Sequence, residues 1–86
     1  MDIKQLIEIV KKKILSQIVV ENIKIEDKSF LHKNHPGNQK GKFHLKIYLK
    51  SDELKNMGRI ESNKIIYKIL DDEIRKFIHS LQILIS

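Results

Sequence analysis

Residues 42–50 leave the chain little freedom. Phe43, Leu45, Ile47 and Leu49 alternate there with Lys42, His44, Lys46, Tyr48 and Lys50. Strand side chains point to opposite faces in turn, so the apolar groups share one face and the polar groups the other. Such a strand belongs to a sheet with an apolar layer over one side only. The rest of the chain supplies that layer. Ile3, Leu6, Ile7, Val10 and Ile14 form one stripe of a helix over 2–16, with Asp2 at its positive end and Lys11-Lys12-Lys13 toward its negative end. Those lysines are either a phosphate-binding patch or a solvated turn, and the match to the dipole favours the solvated turn. Residues 18–27, rich in β-branched Ile and Val, read as a strand. Lys28 to Gly41 is polar, carries His32, His35, Pro36 and Gly37, and reads as a loop of roughly a dozen residues. Ser51 is an N-cap candidate for a turn over Asp52-Glu53-Leu54 that Gly58 breaks. Ser62 is a second, opening a helix through Ile66, Ile69, Leu70 and Ile74. The last strand is 77–85, with Phe77, His79, Leu81, Ile83 and Ile85 on one side.

The order is α-β-β-α-α-β and the class α+β: a small mixed three-stranded sheet with helices on one face. The first two strands pair antiparallel across the loop, and the helical connection makes the last two parallel. At 86 residues the chain is expected to form one domain over 1–86. A chain of this size buries about two-thirds of its unfolded surface, enough for one core but little for an enclosed catalytic cavity. Without cysteine it has no disulfide, no thiolate ligand and no cysteine nucleophile. Its apolar runs are too short to span a membrane, and its N-terminus does not resemble a secretory signal. The expectation is a cytoplasmic protein without a membrane association.

Net charge is +6, yet 15 lysines stand against two arginines, and alanine and threonine are absent. That skew follows from A+T-rich coding as readily as from function. The forked guanidinium suited to guanine edges and phosphates is nearly missing. DNA binding is therefore expected to be weak, non-specific and phosphate-directed, over a surface to which His44, Lys42, Lys46 and Lys64 are candidates. Asp71-Asp72-Glu73 reads as a solvated helix end. No spacing specifies a catalytic serine–histidine or carboxylate pair, and the chain is not expected to be an enzyme.

The histidines hold more information. Parallel final strands begin at the same end of the sheet, where the loop also returns the chain. His32, His35 and His79 should therefore gather at one edge, although 47 positions separate His32 from His79. Each has a plainer reading. His32 and His35 can be solvated loop residues, His44 a surface residue among lysines, and His79 a half-buried residue heading an apolar row. Convergence favours the metal-ligand reading, since neutral imidazole is the commonest protein metal ligand.

From about residue 5 to residue 83 the chain resembles the BolA family. Asp27, Ser29, His32 and His35 match an acidic residue before S-x-x-H and H-x-x-H. Phe43-His44-Leu45 stands at the T-H-F strand opening, Leu54 through Gly58 at a degenerate F-x-G, and Ile78-His79-Ser80-Leu81 at the closing I-H-A-L. The resemblance implies a fold similar to type II KH domains and a monothiol glutaredoxin as partner. It also implies a two-iron, two-sulfur (2Fe-2S) cluster shared with glutaredoxin and glutathione and not held by this chain alone. The protein would be a monomer when free and a heterodimer with its partner, acting in iron–sulfur cluster handling or iron and redox regulation. His79 would be one ligand and a loop histidine the other, His32 counted from S-x-x-H or His35 counted back from His44. Imidazole replacing thiolate on one iron is chemically coherent, as in Rieske-type centres. Members of the family have also been described as DNA-binding transcriptional regulators. Ser62-Asn63-Lys64 stands where most relatives have R-H-R, and Gly37 and Gly41 are one residue too far apart for a GxxG clamp.

Overall fold

A computed structural model describes residues 2–29 and 42–86. The described elements, in chain order, are α1 (Ile3–Gln17), β1 (Asn22–Asp27), β2 (Phe43–Lys50), α2 (Asp52–Met57), α3 (Arg59–Ile69), α4 (Asp71–Lys76) and β3 (Ile78–Ile85). The strands form one sheet in the order β1-β2-β3, with β1 antiparallel and β3 parallel to β2. Both pairings are the expected ones. The fold is α+β, with a mixed three-stranded sheet.

Helix α1 begins as its first residues dictate. Asp2 accepts from the Gln5 backbone N–H at 2.8 Å, and Gln5 Oε1 accepts from the Asp2 N–H at 3.1 Å, a reciprocal capping box. Its stripe drives Leu6, Val10 and Ile14 to zero exposure in one core with Leu45, Ile47 and Leu49 of β2, Ile66 of α3 and Leu70 between α3 and α4. Each such side chain contributes about 1.5–3 kcal/mol by leaving water. Ile18 closes the helix by donating its N–H to Ile14 O at 3.0 Å, in extended geometry. The expected strand from residue 18 therefore starts only at Asn22, because Ile18 is still anchored to the helix.

Two further boundaries differ from expectation. Ser62 caps nothing: it lies inside α3, 1% exposed, and donates to Arg59 O at 3.1 Å. The cap position is Gly58, at φ 89° and ψ 166°, a conformation available almost only to glycine. The helix expected from 62 through 74 is two helices. Buried Leu70 leaves helical geometry at φ −98°, ψ 17°. Three carboxylates, Asp71, Asp72 and Glu73, then favour a new helix start through its dipole. That run is not wholly solvated. Glu73 is buried and takes both oxygens to Lys13 Nζ, at 2.8 and 2.9 Å. Lys13 thus ties α1 to α4 rather than facing only solvent.

On the sheet face opposite the core, Lys24, Gln82 and Leu84 are exposed. The pairing sets Lys24, Tyr48 and Leu84 in one row across it, and Glu26, Lys46 and Gln82 in the next. Among the described residues no helix is long and apolar enough to cross a membrane.

Candidate functional site

One end of the sheet gathers the chemistry. Strands β2 and β3 both begin there and β1 ends there, since Asp27 pairs with Leu45 and Phe43 with Ile78. Asp27 Oδ1 accepts from the Ser29 N–H at 2.9 Å, which turns the chain after β1. The turned backbone then clasps the start of β2. Ser29 Oγ accepts from the His44 N–H at 3.1 Å, and the Lys28 N–H donates to His44 O at 2.7 Å. His32 and His35 lie outside the described residues. The segments on either side of them, ending at Ser29 and resuming at Lys42, both stand at this end.

His79 is here, but not as a half-buried member of an apolar row. Between Phe43–Ile78 and His44–Ser80 the ladder slips by one residue on β3, so His79 is the extra residue of a β-bulge. Before the slip Ile78 faces the core, 3% exposed; after it Leu81, Ile83 and Ile85 pack there. His79 is expelled from that alternation and is exposed. Among the described residues no hydrogen bond engages its imidazole.

His44 corrects the second histidine expectation. It is 3% exposed, not a surface residue among lysines. Its Nδ1 and Ser80 Oγ share a hydrogen bond of 2.6 Å. Its ring meets that of His79 edge to face, with centroids 4.9 Å apart and planes at 62°. Beside it a shallow depression of about 310 Å³ is lined by His44, Ser80, Lys28, Lys46 and Gln82 among others. The alternation of β2 hid this pairing. A signal existed in β3, where adjacent polar His79 and Ser80 interrupt an otherwise alternating row and mark the bulge.

The candidate lysines are not one cluster. Lys42 Nζ donates to Arg75 O at 3.3 Å, at the same end of the sheet. Lys64 is exposed on α3, on another part of the molecule. Lys46 lies on the outer sheet face, its Nζ 5.1 Å from the centre of the Tyr48 ring, while Lys24 Nζ is 5.7 Å from it. Glu26 is the carboxylate of this face. A hydrogen bond with Tyr48 is the main cause holding its carboxyl below the ordinary value, against partial desolvation, with help from Lys28, Lys24 and Lys46. Lys46 is correspondingly held above the ordinary lysine value, first by its hydrogen bond with Tyr48 and also by Glu26.

Among the described residues no three histidine, aspartate or glutamate side chains converge as a metal-binding group. A family model for BolA-like proteins matches residues 14–86. This chain belongs to the BolA-like family. The DNA-binding transcriptional regulator BolA of Haemophilus influenzae is 31% identical to it over 81 residues, 94% of this chain and 73% of that protein. An uncharacterized protein of Buchnera aphidicola is 36% identical over 75 residues, 87% of this chain and 69% of that one. Among solved structures, the BolA domain of SufE1 from Arabidopsis thaliana superposes with a TM-score of 0.78 at 20% identity, covering 100% of this chain and 93% of that one. BolA1 from the same plant gives 0.74 at 19%, covering 91% and 86%. At such identities the structures speak for the fold alone. The BolA-like fold accounts for the parallel β2–β3 pair that brings His44 and His79 together.

Proposed function

We propose that this BolA-like chain is a non-enzymatic partner of a monothiol glutaredoxin, sharing a 2Fe-2S cluster through His79 and one loop histidine, His32 or His35. The observation that carries the reading is His79 itself. An exposed imidazole without a hydrogen bond among the described residues, raised out of the strand by a bulge, is available as a metal ligand. The remaining donor set fits a shared site. The chain has no thiolate to offer, and the described residues hold no group of three ligands, so other donors must come from outside them. Within the complex the cluster supplies the redox and iron-transfer chemistry; this chain binds and orients it. The test is titration of the protein into a monothiol glutaredoxin with glutathione, iron and sulfide, followed by visible absorption and circular dichroism. A heterodimeric species with its own cluster spectrum is expected. Cluster spectra identical to those of glutaredoxin alone at every ratio would contradict the proposal.

A second reading, DNA binding, is favoured by the name of the Haemophilus relative and by the lysines of the outer sheet face. There Lys24, Lys46 and Lys50 alternate with apolar core-facing residues around Tyr48, and Lys28 lies 3.7 Å from Glu26, the carboxylate among them. This surface suits phosphates and lacks the guanidinium forks that read bases.

A further inference from the structure

A ligand on a strand still has to be aimed. An exposed histidine has several χ1 wells and a broad χ2, and only some of those orientations present a ring nitrogen to a bound group. His79 sits on the extra residue of a bulge, where the ladder constrains it least. Its neighbour His44 is held at both main chain and ring. The His44 main chain is held by Ser29 Oγ at 3.1 Å and the Lys28 N–H at 2.7 Å. Its ring is fixed by Ser80 Oγ at 2.6 Å and is almost wholly buried, with 3% exposure. That fixed ring meets the His79 imidazole at 4.9 Å and 62°, an arrangement aromatic rings favour.

We infer that His44 is a positioning residue for His79: locked by Ser80, its ring acts as a wall that selects the His79 orientation used in ligation. The inference rests on the ligand role proposed above. Ser80 is the specific part of the device. It stands directly opposite His44 in the parallel ladder, and only a hydroxyl or similar group at that place can hold Nδ1. Residues that orient metal ligands typically contribute 10–100-fold in affinity, and a packing contact belongs at the lower end, about 10-fold.

The experiment uses the full chain, free and in the glutaredoxin complex, as His44→Ala, His44→Phe, Ser80→Ala and His79→Ala. In the free protein, ring relaxation by NMR should show His79 gaining mobility in His44→Ala and Ser80→Ala. It should be intermediate in His44→Phe, which keeps a ring against His79 but loses the bond to Ser80. In the complex, cluster loss should be about 10-fold faster in His44→Ala, with His44→Phe restoring part of the lifetime. Should His44→Ala fail to fold by far-ultraviolet circular dichroism, Ser80→Ala, altered at an exposed residue, decides the matter. A variant set in which His79→Ala loses the cluster while His79 mobility and cluster lifetime are unchanged in Ser80→Ala and His44→Phe matches any folded His44→Ala would overturn the positioning role alone. An unchanged cluster in His79→Ala would instead overturn the ligand role on which it rests. Lowered thermal stability with unchanged His79 ring dynamics would make His44 merely structural, and also counts against the inference.

Discussion

Glu73 and its neighbours Asp71 and Asp72 look alike in sequence, yet their surroundings differ. Arg75 meets both aspartates in exposed ion pairs at 3.0 Å, which contribute little. Glu73 instead has a side chain only 8% exposed and, among the described residues, one partner, Lys13. Removing Lys13 leaves a buried carboxylate without its cation. Lys13→Met should therefore lower the unfolding free energy by about 1–3 kcal/mol in urea melts, whereas Lys13→Met with Glu73→Leu should recover most of that loss. Arg75→Ala should change stability by less than about 1 kcal/mol. Equal losses from Lys13→Met and Arg75→Ala would show that burial is not what distinguishes the pairs. The histidines differ in the same way. His79 is set by a strand, while His32 and His35 come from the segment between the strands, and each could take the other's place in the proposed complex. Either single alanine change there should shorten cluster lifetime less than His79→Ala, and the double change should approach it.

Short elements depend on single residues. Ser51, with no exposure, accepts from the Leu54 N–H at 3.3 Å and donates to Val19 O at 2.8 Å, capping α2 while pinning the link from α1 to β1. Ser51→Ala should cost about 1–2 kcal/mol, read from the denaturation midpoint. Gly58→Ala meets no atom within 4 Å, so its cost is conformational, about 1–3 kcal/mol. On β1 and β2, Glu26 faces Lys46. Because the Glu26 pKa is lowered in the fold, the stability it adds is complete above the usual 4.5 and is lost as pH falls through its lowered value. NMR titration should place its midpoint below that of a free glutamate, and Glu26→Gln should flatten the acid limb. Much of this level was legible: the stripe of α1, the Ser51 cap and the alternation of Leu45, Ile47 and Leu49 all act as their spacing dictates. Period alone could not show that Leu70 breaks a helix, since an apolar residue at helical spacing looks the same in either geometry. Nor could it show that Ser62 turns inward to Arg59 O.

At the scale of the molecule the two readings occupy different surfaces. Among the described residues, positive charge spreads over the outer sheet face, and His44 and His79 stand at its end. Four lysines near that face predict a salt slope of about −3 to −4 in log affinity for duplex DNA, little varied by sequence. Lys24→Gln with Lys46→Gln should reduce the slope by about 2. A salt-resistant, sequence-selective complex would contradict the phosphate-only interface. The end of the sheet was legible as a meeting place, because parallel β2 and β3 must start together. The partners of His44 were not, because a bulge in β3 puts Ser80 opposite it and His79 beside it, and alternation assumes no bulge. The central claim is that His79 ligates a cluster shared with the partner. The most direct measurement is pulsed electron paramagnetic resonance of the reduced heterodimer, with ¹⁵N-histidine in this chain only. The account predicts strong nitrogen coupling that loses its His79 component in His79→Ala; coupling that is absent, or unchanged by that substitution, would contradict it.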